Sequence, residues 1–289
     1  MKRRAYDYVC SLGSSCLCAG SLRDAGLRLS SGPFDWLLGP SLLGRVKTIA
    51  SGFSDWLEPA DLECLGDPNN FSHDSYLNRR TGYKFSHDFE KGAPLDRSLP
   101  PVREKYARRI ARFYASVRAS RKVLLVWLEN PMFDDRPSPE EVAEARKLLA
   151  EEFPGVEIDL LVVDRAADDA AGATEETTDG KDGVWRVSCG YRTHEDREGG
   201  ARPWDVDARP ILDVLSRFSV SDSRSSAERR RRRAQERAAR YALYGAHGPL
   251  GYAVSRLQAR VCKLLLNGLR RRGANLRVLF EAQAMGGGR

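Results

Sequence analysis

Two strand-like stretches, the continuous apolar run Lys122–Leu128 and the segment 156–163, flank a segment that opens with Ser138-Pro139-Glu140-Glu141, and this arrangement constrains the fold more than any other feature. The first does not alternate apolar and polar residues, and each predicts a strand buried in the sheet. Ser138 is a good N-cap, Pro139 suits the first helical position, and early carboxylates favour the positive end of a helix, which predicts a helix over 139–153. Strand, helix and strand in that order form a parallel crossover unit.

The same reading extends in both directions. Residues 6–12 are rich in aromatic and β-branched side chains and predict a strand ended by Gly13, with a helix over 16–27 after it. A second helix is expected at Leu42–Ala50. A third is expected over 100–119, where Val102, Tyr106, Ile110, Phe113 and Val117 recur at three- and four-residue spacing. Val184–Cys189 predicts a fourth strand, and 205–218 a helix. Residues 64–98 read as irregular, with turn chemistry at Asp67-Pro68-Asn69-Asn70 and a short strand over 83–85. The acidic, small-residue segment 166–183 reads as a surface loop. The expectation is a three-layer α/β sandwich with a mainly parallel sheet over 1–220.

The formal charge of +7 divides sharply along the 289 residues. Residues 221–289 carry 16 Lys/Arg against 4 Asp/Glu, whereas 1–220 carry 31 against 36, a net of −5. The body therefore offers no electrostatic reason to bind nucleic acid. The tail, expected to be a basic helical appendage, holds an arginine block at 229–233 and a second helix over 251–272 whose apolar side is Val254, Leu257, Val261, Leu264 and Leu265. Interleaved basic and apolar residues over 229–272 point to an anionic membrane surface ahead of nucleic acid. No apolar run is long enough to span a bilayer. The six cysteines form no C-x-x-C spacing, and the plain reading is reduced thiols in a cytoplasm.

Ligands in parallel α/β sheets bind beyond the carboxyl ends of the strands. Here those ends are Gly13 to Cys16, Glu129-Asn130, Asp164-Arg165, and Cys189 to His194. Cys16 follows a strand and a Gly-Ser-Ser loop and opens a helix, whose free N–H groups and positive end would favour a thiolate and receive an oxyanion. The alternative is a small buried residue at a tight helix–sheet junction. Cys10 and Cys18 read as core. A thiol nucleophile needs a base, and the chain has four histidines. His73 and His87 lie in matching Ser-His-Asp triplets, His194 follows the last strand, and His247 sits in the tail. His87 is favoured because Phe85 and Phe89 could shield it from water, with Asp35, Asn130 or Asp164 as a third member. Gly32-Pro33-Phe34-Asp35-Trp36 reads either as a structural plug or as a pocket wall. Gly13-Ser14-Ser15 lacks the lysine of a phosphate loop and the further glycines of a dinucleotide fingerprint, and no cofactor or metal is expected.

Ser11-Leu12-Gly13-Ser14-Ser15-Cys16, Ser31-Gly32-Pro33-Phe34-Asp35-Trp36, His87-Asp88-Phe89, Lys105 to Ile110 and the strand after Lys122 together resemble the bacterial domain family of unknown function labelled papain-like cysteine peptidase. The resemblance runs over about residues 5–215 and implies Cys16 as nucleophile and His87 as its partner. A strand entering Gly-Ser-Ser-Cys is also similar to the opening of SGNH-type esterases and their G-S-C-F-A relatives, which implies His194 instead. The leading expectation is a thiol-dependent hydrolase or acyl transferase acting on an amide or ester. The others are a glycan-processing or carbohydrate-transfer protein in which Cys16 is structural, and a non-catalytic binding module held at a membrane by its tail.

Overall fold

The computed structural model describes residues 4–66, 72–130, 136–166, 174–176, 180, 182–191 and 208–221. Compactness separates Met1–Asp222 from Ser223–Arg289. His194 and the basic segment 229–272 lie outside the described residues, and so does the lipid surface expected there.

In chain order the elements are β1 (Arg4–Tyr6), β2 (Tyr8–Gly13), α1 (Cys16–Asp24), β3 (Leu37–Leu38), α2 (Leu42–Ala50), β4 (Leu62–Cys64), β5 (His73–Asn78), β6 (Lys84–Glu90), α3 (Leu95–Arg118), β7 (Lys122–Leu128), α4 (Pro139–Glu152), β8 (Glu157–Arg165), β9 (Thr174–Glu176), β10 (Val184–Cys189), α5 (Arg209–Leu215) and β11 (Phe218–Val220). The fold is mixed α/β. Its main sheet has the order β2-β7-β8-β10-β9, with the first four strands parallel and β9 antiparallel at one edge.

The apolar runs are buried as expected, and alternate residues serve opposite faces. Val9, Leu124, Val126, Leu128, Leu161, Val163 and Val187 share one cluster with Cys18 and Leu22 of α1 and Ile211, Val214 and Leu215 of α5. Cys10, Leu12, Leu125, Trp127, Leu160 and Val162 belong to a second cluster with side chains of α2, α3 and α4. The α4 start carries a full capping box: Glu141 N–H donates to Ser138 Oγ at 3.2 Å, and Ser138 N–H to Glu141 Oε2 at 2.9 Å.

Three expectations need correction. First, 64–98 is not irregular. A four-stranded antiparallel sheet of order β3-β6-β5-β4 occupies much of it. Its strands are short and mix polar with aromatic residues, and the burial of Tyr76, Tyr83, Phe85 and Phe89 around Trp56 stabilises them in place of an apolar run. Second, α3 begins at Leu95, before Pro100 and Pro101, and not at the prolines. Burial of Ser98, Leu99 and Val102 offsets the backbone hydrogen bonds that two prolines forfeit. Third, the helix expected over 205–218 ends at Leu215, and Phe218 opens β11, which pairs in parallel with β1 as a separate two-stranded sheet.

Candidate active site

The loop joining β2 to α1 sets the site. Gly13 has φ +120°, a conformation that favours glycine, and a Cβ there would lie 2.0 Å from Nη1 of Arg45. Ser14 N–H donates to the Leu128 carbonyl at 3.1 Å, which fixes the loop to the end of β7. Ser15 is the N-cap of α1, its Oγ accepting from Leu17 N–H at 3.3 Å. Cys16 is the first residue of that helix and is half-buried.

The main-chain N–H groups of Cys16 and Leu17 favour a thiolate at Cys16, as a helix start does, although Leu17 N–H also serves the Ser15 cap. Burial raises the Cys16 thiol pKa, and those two N–H groups pull it down without reversing the shift. The expected net lowering therefore does not occur: the helix end contributes in the right sense, but desolvation outweighs it. Cys10, Cys18 and Cys189 are buried deeper, and burial pushes each thiol up to about 12. Cys10 and Cys18 are core residues. Cys64 is exposed on β4.

His87 stands at an irregularity of β6. Asp74 faces Phe89 and Tyr76 faces Phe85, so two steps along β5 meet four along β6, with His87 among the extra residues. A bulge re-aims a side chain in this way. Phe85 and Phe89 point into the core and His87 is exposed, so these two rings do not shield it. Its aromatic neighbours are instead Trp36 and His73, each edge-on with centroids 6.4 Å away. Cys16 makes no hydrogen bond to a histidine among the described residues.

Asp35 is buried and committed elsewhere. It accepts from Arg28 Nε at 2.7 Å, from Arg28 Nη2, and from Gly32 N–H at 3.0 Å. Arg28 also donates to Ser31 Oγ at 2.8 Å, so Asp35 organises the 28–36 loop that presents Trp36. Burial raises its pKa, with Arg28 acting against the shift. Gly32 is required here because a Cβ would sit 2.7 Å from Cys10 Sγ. Asp88 receives Lys105 Nζ and, at 2.9 Å, the Tyr106 hydroxyl.

Asn130 is half-buried at the end of β7. Its neighbour Glu129 is buried and accepts from Arg165 N–H at 2.7 Å and Arg136 Nε at 3.0 Å. Asp164 is paired with Arg186, whose Nε lies 2.5 Å from Oδ2. Both carboxylates at the strand ends thus hold cations of the same edge.

Sequence reasoning missed Arg45. It is fully buried on α2 and donates to Leu12 O at 2.8 Å, Ser14 O at 2.8 Å, Leu37 O at 3.0 Å and Pro40 O at 3.2 Å. The signal was its place on the apolar stripe of α2, three residues after Leu42 and directly before Val46.

The chain is 30% identical over 156 residues to an uncharacterized protein of Acanthamoeba polyphaga mimivirus, a stretch that is 48% of this chain and 68% of that one. No solved structure matches it. A family model matches residues 7–151, a shorter span than 5–215, running from β2 almost to the end of α4 and containing Cys16, Asp35, His87 and Asn130. On that match the chain belongs to the family described as "Putative papain-like cysteine peptidase", a domain of unknown function.

Proposed function

We propose that the protein is a cysteine-dependent hydrolase or acyl transferase acting on an amide or ester carbonyl, with Cys16 as the nucleophile. The observation that carries this reading is the position of Cys16: half-buried, the first residue of α1, at the carboxyl edge of a parallel sheet. The helix end favours negative charge at that point. In the first step the thiolate attacks the carbonyl carbon and the first-turn N–H groups receive the developing oxyanion. The leaving amine or alcohol takes a proton from the imidazolium, and a thioester remains. Water, or an acceptor nucleophile in a transfer reaction, then attacks the thioester and returns the proton to the base. His87 is the base in this reading, and it moves onto the sulfur when substrate is bound, since catalytic hydrogen bonds tighten in the complex. Membership of the peptidase family favours an amide.

A second reading keeps the nucleophile and changes the base. β2 runs parallel to β7 and feeds α1 through a tight loop, the layout of an α/β sheet with helices on both faces. That three-layer arrangement favours an ester substrate and a histidine late in the chain, His194.

The test is acyl transfer from an activated ester such as p-nitrophenyl acetate to the full-length chain. Peptide mass spectrometry should find the acetyl thioester on Cys16 in preference to the exposed Cys64, and Cys16→Ser should abolish turnover. Acetylation confined to Cys64, or turnover that survives Cys16→Ser, would sink the proposal.

A further inference from the structure

We propose that Arg45 is a positioning residue for Cys16: one buried guanidinium that fixes the nucleophile loop and ties it to the frame that carries Trp36 and His87. This rests on the reading of Cys16 as nucleophile.

The first argument is cost. Arg45 sits on the apolar stripe of α2 beside Leu42, Val46 and Ile49 and is inaccessible to solvent. A charged group pays heavily for leaving water, and good hydrogen-bond geometry on every side is needed to offset that. For packing alone, a leucine would serve α2 better. Arg45 has its four carbonyl acceptors at 2.8–3.2 Å. The rings of Phe34, Tyr83 and Trp127 lie 5.6, 5.7 and 5.5 Å from its Cζ and surround it with π faces. The planar five-donor fork suits acceptors in several directions at once, which the point charge of lysine does not.

The second argument is which carbonyls are held. Leu12 and Ser14 flank Gly13, whose missing Cβ is what lets Nη1 approach. Across a planar peptide a carbonyl and the following N–H point in opposite directions. Holding the Ser14 carbonyl on Arg45 therefore turns the Ser15 N–H away from it and sets the direction in which α1 starts. Cys16 follows at once as the first residue of α1. A cation on the Ser14 carbonyl also polarises that peptide, adding to the positive end of the helix.

The other two carbonyls, Leu37 and Pro40, lie in β3 and in the turn that leads into α2. Leu37 opens β3 and pairs with Phe85 of β6, two residues before His87. Trp36, which meets the His87 ring, directly precedes Leu37. A single guanidinium thus spans the thiol loop and the strand that frames the imidazole.

The experiment compares full-length wild type with Arg45→Lys and Arg45→Ala, following iodoacetamide alkylation of Cys16 and Cys64 against pH, with thermal unfolding as the check on folding. Arg45→Lys should move the Cys16 midpoint up by about one pH unit, which slows labelling about tenfold at any pH below it, while Cys64 is unaffected. Millimolar guanidinium ion should restore part of the Cys16 rate in Arg45→Ala, a rescue that loss of packing does not predict. Unchanged Cys16 profiles in folded variants would overturn the proposal. If the variants do not fold, nitrogen NMR of the wild-type arginine side chains decides: alkylating Cys16 should shift the Arg45 resonances and leave those of Arg136 in place, and unmoved Arg45 signals would overturn it. A wild type that forms no acetyl thioester on Cys16 with p-nitrophenyl acetate removes the nucleophile reading itself and this proposal with it. A wild type that forms that thioester, with variants whose Cys16 profiles do not move, removes only the role of Arg45.

Discussion

The His87 imidazole meets the Trp36 indole edge-on, with ring centroids 6.4 Å apart. One ring comes from a bulged antiparallel strand and the other from the loop that Asp35 organises, so two remote segments converge on His87. His87→Ala should lower kcat/KM on an activated ester by about 100-fold or more, the usual worth of a general acid–base group. Trp36→Ala should cost about tenfold through misplacement of the imidazole. His73→Ala should cost less than either. Wild-type kcat/KM in His87→Ala would move the base to His194 and favour the esterase-like arrangement.

Gly32 and Cys10 should be energetically coupled. A Cβ at residue 32 would lie 2.7 Å from Cys10 Sγ and 3.2 Å from Asp35 Oδ1, inside a buried cluster with little room to move. Gly32→Ala should therefore destabilise the fold by about 2 kcal/mol through overpacking. In a Cys10→Ala background the sulfur is gone, and the same change should cost at least about 1 kcal/mol less. Urea unfolding of the four proteins gives the cycle, and strictly additive costs would show that the loop relaxes away from the clash.

The parallel strands and α4 were legible because their signals are local: an unbroken apolar run in β7, the Leu160–Val163 run in β8, and a capping box that Ser138 and Glu141 complete. The second sheet was not legible. Its strands alternate imperfectly, and the bulge around His87 breaks the period of two that Phe85 and Phe89 would otherwise display. The place of Cys16 at the start of α1 was legible from a strand, a Gly-Ser-Ser loop and a helical pattern. The direction of its pKa was not, since the burial that outweighs the helix end depends on packing between distant segments. Arg45 was hidden because one arginine in an amphipathic helix reads as part of the wet face, although its spacing from Leu42 places it on the dry one.

Glu129 should give the fold an acid-side pH signature opposite to that of most carboxylates. Burial raises its pKa, and the Arg165 N–H and the Arg136 guanidinium, though close at 2.7 and 3.0 Å, do not bring it back. Asp35 behaves in the same way, with burial ahead of Arg28. Between the unfolded carboxylate range, about 4, and the raised folded value, the native state binds more protons than the unfolded one, so stability falls as pH rises through that window. Asp74 and Glu140 oppose this, because backbone N–H groups lower their pKa values and their contribution is lost as pH falls. A comparison of wild type with Glu129→Gln isolates the Glu129 contribution. Glutamine does not titrate, so the stability difference in favour of wild type should be largest at the acid end and shrink as pH rises. Thermal or urea unfolding across pH 4–7 measures it. A difference that instead grows with pH would mean that Arg136 and the Arg165 N–H outweigh burial, and that the edge of the sheet holds Glu129 as a stable anion.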